Sequence, residues 1–373
     1  MSDTVGTWMS LVHDLYPPSH AASWDNVGLQ VGDPAWPVER VLTTLDVTAR
    51  VVEEAAEGPP TLVLAHHPLL FRPLGRLTPD TASGRTALAA ARAGVAVAAA
   101  HTNLDVADDG AGTSDPVARA LELQQVRSLE TDVGEGRRLK LVTFVPHADV
   151  DAVVDALAEA GAGEIGDYTR CHFRVDGTGS FRPGDAADPH VGAVGEVHHE
   201  PEARVEMELP RGAVGRVVAA LVAAHPYEEV AYDLHPLLDV DGHGLGLVGE
   251  LPSPLPLRAL AARLRDELPS PHLRYAGEPD RLVRRVAVVG GAGDSHIGSA
   301  MAAGADVYVT GDLRHHVTLD ALELGLALVD AGHHAVEAAA MPHWTTRLAA
   351  VARERGLQAP VIASAVDTAP WTR

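Results

Sequence analysis

Residues 38–67 read VERVLTTLDVTARVVEEAAEGPPTLVLAHH, and this stretch decides the fold. An apolar strand-like run (38–47) passes into a helix-like run (48–57), then into a second strand that ends in two histidines. A helix around 84–93 and a third strand, GVAVAAAH (94–101), follow. Such alternation predicts βαβ units on a parallel sheet. The pattern resumes near residue 285 with strand RVAVVGG, helix SHIGSAMAAG, strand ADVYVTGD, helix LRHHVTLDALELG, strand LALVDAG and one long Ala-rich helix over 333–355. The two ends, 1–137 and 237–373, are therefore read as two sequence halves of one outer α/β domain.

The middle, 138–236, reads differently: LKLVTFVP, the helix ADVDAVVDALAEAG, a Gly-, Pro- and Asp-rich stretch, strand ARVEMELP, helix GAVGRVVAALVAAHP and strand EVAYDLHPL. A repeated βαβ order with two similar helices predicts an inserted ferredoxin-like α+β domain. Residues 176–193 are expected to form an exposed loop, and about 237–256 a return linker.

Composition supports an ordinary folded protein. The 373 residues suggest two or three domains at roughly 150 residues each. Hydrophobic residues make up 46% and charged residues 21%. The 35 Gly and 26 Pro are too dispersed for a low-complexity chain. With 5 Trp, 6 Tyr and 4 Phe, the cores must rest on Val, Leu and Ala, and stacking platforms for single-stranded nucleic acid are excluded. The 29 basic and 51 acidic residues leave a net charge of −22, which repels phosphate backbones and anionic membranes, so nucleic acid is a poor partner. A single cysteine, Cys171, forbids an internal disulfide and fits a reducing cytoplasm. The opening residues MSDTVGTWMSLVHDLYPP show neither a basic n-region nor an apolar core, so neither export nor a membrane span is expected.

The 20 histidines include pairs at 66/67, 198/199, 315/316 and 333/334. Three segments combine imidazoles and carboxylates at predicted strand ends, where open α/β sheets place ligands. The first is LVLAHHPLLF with His66 and His67. The second is VAVAAAHTNLDVADDG with His101 and Asp105, and the third is LALVDAGHHAVE with His333 and Glu337. His333 and Glu337 stand four apart at the start of a helix, so they share a face. Singly, each segment reads equally well as a packed histidine, a turn aspartate or a solvated pair. Together they offer enough imidazoles and carboxylates for two divalent ions, the arrangement used in two-metal hydrolysis. VVGGAGDSH (288–296) lies between a strand and a helix, but it lacks both the GxGxxG order and a P-loop lysine. It reads as a tight turn.

Five ordered motifs also carry a resemblance that spans the chain: SWDNVGLQVGD (23–33), AHHPLLF (65–71), HTNLD (101–105), ADVYVTGD (305–312) followed by His316, and DAGHHAVE (330–337). They resemble the Nif-three-like dinuclear-metal-centre family, often labelled GTP cyclohydrolase 1 type 2 homologs. The resemblance implies two divalent metal ions per subunit, of Zn, Fe, Mn, Co or Ni type. It implies His66, His67, Asp105, His333 and Glu337 as ligands, with Asp105 and Glu337 as bridges. His101 and His316 are implied as proton-relaying catalytic residues near Trp24, Asp25 and Asn26, while His315 and His334 are neighbours and His198 and His199 surface residues. It further implies a CutA/PII-like inserted module and a toroidal homohexamer, a trimer of dimers. The expected activity is hydrolysis of a nucleotide-like or phosphate-bearing small molecule by hydroxide generated at the metals. The alternative is a non-catalytic regulatory assembly whose insertion senses a small ligand. Two departures from the family pattern are DDGAGTSDPVA (108–118) and Asp312, where Glu is commoner.

Overall fold

The computed structural model describes residues 3–107, 109–130, 138–237, 244–268, 270 and 272–371. In chain order the strands are β1 (Gly28–Val31), β2 (Arg40–Thr44), β3 (Thr61–Ala65), β4 (Ala96–Ala99) and β5 (Gln124–Glu130). The middle of the chain forms β6 (Arg138–Pro146), β7 (Phe173–Phe181), β8 (His198–Pro210) and β9 (Tyr232–Pro236). The last third contains β10 (Leu245–Pro256), β11 (Arg274–Ala276), β12 (Leu282–Ala292), β13 (Val307–Gly311), β14 (Ala327–Asp330) and β15 (Val361–Ala363). The result is a mixed α/β protein with three sheets, ordered β1-β4-β3-β2-β15, β11-β14-β13-β12-β10-β5 and β7-β8-β6-β9. It divides into two compact units, one from both ends of the chain (Met1–Val133 and Val240–Arg373) and one from its middle (Gly134–Asp239).

In the first sheet β2, β3 and β4 run parallel, with Leu42 beside Val63 and Val63 beside Val97. All five residues of β3 are buried, as expected of a parallel strand covered on both faces. On one face Leu42, Val63 and Val97 meet Val51, Val52 and Ala90 from the helices Ala49–Ala56 and Ala82–Ala93. On the other face Val41, Leu62 and Leu64 meet Trp8, Leu11, Trp344 and Leu348 from the helices Val5–Leu15 and Met341–Glu354. Each such apolar side chain contributes about 1.5–3 kcal/mol on burial. The hydroxyls of Thr48 and Thr81 accept the Val51 and Gly84 amides and so start the two covering helices. Gly94, at φ +67°, ends the second helix in the left-handed conformation that glycine tolerates.

The two halves exchange strands. β15, from the end of the chain, pairs with β2, and β5, from the first part, pairs with β10 in the second sheet. Glu130 on β5 lies opposite Leu245 on β10.

Three expectations are corrected. Residues 245–256 of the expected linker form β10, because they pair with β5 on one side and β12 on the other. Residues 238–243 of that linker lie outside the described residues, as does Asp108 of the 108–118 segment. Residues 176–181 of the expected loop belong to β7, an edge strand exposed along most of its length, so it carries no apolar alternation to read. The helix expected over 333–355 is two helices, His333–Ala338 and Met341–Glu354. Pro342 has no amide for a continuing helical bond, and the chain turns through an Ala340 N–H donating to the Glu337 carbonyl at 2.9 Å.

The middle unit is an antiparallel sheet in the chain order β-α-β-β-α-β, with helices Val150–Glu159 and Val214–Ala224 packed on one face. Among the described residues of the whole chain, no helix is long and apolar enough to cross a membrane.

Candidate metal centre

The C-terminal ends of parallel strands from both sheets of the first unit converge. Past β3, the His66 and His67 amides still donate to the Thr44 and Leu45 carbonyls of the β2 edge, at 3.0 and 2.9 Å. Pro68 then stops the pairing. His66 is fully buried, and its Nδ1 donates to the Ala100 carbonyl at 3.1 Å. His67 Nδ1 donates to Asp46 Oδ1 at 2.8 Å, His101 Nδ1 to Asp25 Oδ1 at 2.9 Å, and His333 Nδ1 to Asp312 Oδ2 at 2.8 Å. In every case an oxygen accepts from Nδ1 and turns Nε2 inward, the orientation of a metal-ligating histidine.

Those Nε2 atoms gather round Glu337. Its Oε2 lies 3.1 Å from His67 Nε2 and 3.1 Å from His333 Nε2, and the two nitrogens are 3.3 Å apart. Ligands about 2.0–2.1 Å from one tetrahedral ion stand about 3.3 Å from each other. Glu337 Oε1 and Asp105 Oδ1 each lie 3.7 Å from His66 Nε2, and Thr113 Oγ1 donates to Asp105 Oδ1 at 2.5 Å. Both His66 Nε2 and Glu337 Oε2 are buried with no hydrogen bond of good geometry. Such orphaned atoms are costly unless a further group satisfies them. The donor types, the orientation of the rings and these orphans fit a bound cation. Among the described residues, two groups could hold one: His67, His333 and Glu337, and His66, His67 and His101.

Charge in the metal-free cluster follows the same contacts. Burial disfavours a charged His67, but the Asp46 and Glu337 carboxylates outweigh it and raise its pKa to about 10. His333 is likewise opposed by burial, yet Glu337 and Asp312 raise it to about 9. Burial would raise Glu337, but the imidazoles of His333, His66 and His67 hold it well below the usual carboxylate range. Asp25 is opposed by burial and still lowered to about 2 by His101 and Thr102.

Glycine makes the close approaches possible. Gly291 sits at φ +70°, and a Cβ there would collide with Glu337 Oε1. At Gly290 and Gly293 a Cβ would collide with Thr113 and with Thr310 and Tyr308. The glycines of VVGGAGDSH thus permit packing at the end of β12. At the mouth, Trp24 is 61% exposed, 5.8 Å from Phe71 and 6.1 Å from His101 between ring centroids. Asn26 Nδ2 donates to the Leu70 carbonyl at 2.5 Å, tying this segment to the loop after His67.

Of the residues singled out by sequence, His66, His67, Asp105, His333 and Glu337 come together, and His101 joins them as a third imidazole beside His66 and His67. His316 does not join them: it is exposed, and its ring neighbour is His315 at 5.1 Å. Asp312 holds His333. Asp46, which sequence reading passed over, holds His67 and accepts from Thr368 Oγ1 at 2.8 Å. The only signal for it was its place just past β2, beside the strand ends that supply the histidines.

A sequence profile of the Duf34/NIF3 family (NGG1p interacting factor 3) matches residues 4–370. A Bacillus subtilis protein named GTP cyclohydrolase 1 type 2 homolog is 40% identical over 365 residues, covering 98% of this chain and 97% of its own length. A Mycobacterium tuberculosis protein of the same name is 41% identical over 376 residues, covering 100% and 97%. The crystal structure of a Bacillus cereus protein related to NIF3 aligns with a TM-score of 0.70 at 38% identity, covering 100% of both chains. That of a Staphylococcus aureus protein aligns with a TM-score of 0.77 at 29% identity, covering 100% and 99%. With a profile match along nearly its whole length and relatives near 40% identity, the chain belongs to the Duf34/NIF3 family.

Proposed function

We propose that the first unit is a dinuclear metal centre that hydrolyses a nucleotide-like or phosphate-bearing small molecule. The observation that carries this reading is Glu337, 3% exposed, whose two oxygens face two different donor sets. His67 and His333 would hold one divalent ion with Oε2. His66 and Asp105 would hold the other with Oε1, and His101 stands beside it. Mixed imidazole and carboxylate donors suit Zn, Fe, Mn, Co or Ni. Such ions supply Lewis acidity and bring the pKa of water toward neutrality.

The chain's own groups do the rest. Asp46, Asp312 and the Ala100 carbonyl orient His67, His333 and His66. His101, its Nδ1 proton held by Asp25, accepts or returns a proton at Nε2. Trp24 and Phe71 offer ring faces at the mouth on which a planar base stacks. His316, outside the cluster, is left without a proton-transfer role.

The curated relatives' name makes GTP the first substrate to assay. The domain plan we propose is an outer α/β domain (1–137 and 237–373) with a ferredoxin-like insertion of the CutA/PII kind (138–236), supported by the sheet order β7-β8-β6-β9. A cytoplasmic homohexamer is proposed on the family resemblance. The test is elemental analysis of untagged protein beside His66→Ala and Glu337→Ala, followed by a formate-release assay with GTP. About two metals per chain, lost in both folded variants, support the centre; unchanged metal content overturns it. Absence of formate above the variants' background removes GTP as substrate.

A further inference from the structure

In the middle unit, Ala203, Val205, Met207 and Leu209 of β8 face the helix-covered core. The alternate residues Glu202, Arg204, Glu206 and Glu208 face the other way. At one end of that outward face lies a cavity of about 750 Å³, bounded by β7, the 182–191 loop and residues 227–231. Its size suits a nucleoside-sized molecule. The loop is tied across it, because the Asp188 amide donates to Glu228 Oε1 at 3.0 Å. Phe144, Val175, Phe181, Val191 and Tyr227 make its walls largely apolar and aromatic. The Phe181 and Tyr227 rings stand 6.0 Å apart with their planes tilted by 60°.

Into this lining projects Glu202, only 7% exposed. Tyr227 donates its hydroxyl to Oε1 at 2.8 Å, and the Tyr227 amide is itself anchored on His225 Nδ1 at 3.1 Å. Oε2 lies over Gly179 on β7, where an added Cβ would collide with it. A carboxylate accepts about four hydrogen bonds, so the tyrosine leaves acceptor capacity on a buried charge that is costly unless satisfied. The lining is net acidic. Arg204 is engaged by Glu206 at 2.9 Å and lies over the Phe144 ring, so Arg182 and His190 stand against Asp176, Glu202, Glu228 and Glu229.

We infer that this cavity binds an uncharged or cationic planar ligand whose edge offers two adjacent N–H donors to Glu202, the pattern shared by guanine bases and aryl amidines. The ring lies against Phe181 and Tyr227, and the donor pair meets the carboxylate in two parallel charge-assisted bonds. This site is separate from the metal cluster and does not depend on the hydrolytic reading.

Saturation-transfer NMR on the full chain tests it, with guanosine and benzamidine as probes and adenosine and GTP as controls. Adenosine places an acceptor where guanine places a donor, and GTP adds the negative charge the lining opposes. Binding of either probe, unchanged by a metal chelator, at least tenfold weaker for both controls and weakened at least tenfold by Glu202→Gln, supports the site. Guanosine alone identifies a base ligand, and benzamidine alone an amidine or guanidinium ligand. Phe181→Ala, which removes one wall, weakens the same probe severalfold and carries the test if Glu202→Gln does not fold. No binding of either probe at millimolar concentration, equal binding of adenosine, or unchanged binding in both variants overturns the inference.

Discussion

His67 and His333 face each other through their Nε2 atoms at 3.3 Å, although one ends a strand of the first sheet and the other starts a helix beyond the second. Without metal, the Asp46, Glu337 and Asp312 carboxylates favour protonated rings at both positions. A cation held between the two nitrogens and Glu337 Oε2 would take the place of the protons they carry there.

Metal uptake is therefore expected to release at least one proton per chain near pH 7, because ligands bind deprotonated. Without metal, Glu337 helps hold His67 near about 10 and His333 near about 9. Raising the pH from 6 to 9 removes competing protons, so apparent metal affinity should rise across that range. Titration calorimetry in two buffers of different ionisation enthalpy measures the release, and a value of zero contradicts the arrangement.

Asp46 touches no other ligand of the cluster, yet it fixes the His67 tautomer through a 2.8 Å bond. Losing such a supporting carboxylate lowers metal affinity by about 10–100-fold. Asp46→Ala should show this in competition with a chromogenic chelator while keeping its circular dichroism spectrum. An unaltered affinity would mean the bond does not orient the ring.

Gly291 is the position where backbone conformation and the cluster meet. At φ +70°, and with Glu337 Oε1 in the way of any Cβ, Gly291→Ala should lose metal. It should also destabilise the chain by about 1–3 kcal/mol. Urea unfolding with and without chelator separates the two effects, since the strain persists when metal is absent.

In the middle unit, burial pushes His225 below its ordinary 6.5, opposed by its bond to the Phe144 carbonyl and by Glu202. The unfolded chain then takes up a proton that the folded unit resists. Stability is full above about pH 6.5 and falls as the pH drops below it. Between pH 7 and pH 5 the urea midpoint of the wild type should fall more steeply than that of His225→Gln. Parallel slopes would show that His225 does not contribute.

Much of the scaffold was legible because its signals are local. Strand β3 is a short apolar run bounded by Pro60 and Pro68, and the helix Ala49–Ala56 places Val51, Val52 and Ala55 on one face. The edge strand β7 was not legible, since exposure on both faces erases the alternation that marks a strand. Nor was β10, whose Gly and Pro residues read as linker until pairing with β5 and β12 absorbed them. The break before Met341 was signalled by Pro342, but a continuous run of alanines masked it.

By itself the sequence determined the alternation of strands and helices, the family motifs, and the placing of His66, His67, His101 and His333 just past strand ends. Those follow from residue types and their spacing along the chain. Only the tertiary structure decided that Glu337 reaches His66 and His67 from the helix that follows β14, that Asp46 and Asp312 lock two rings, and that His316 stays outside. It also decided that β5 and β15 change sheets and that Glu202 is buried in a cavity. Such relationships join residues that lie on different elements, 21 positions apart for Asp46 and His67 and far more for Glu337 and His66, and their distances are set by how sheets and helices pack rather than by any local periodicity.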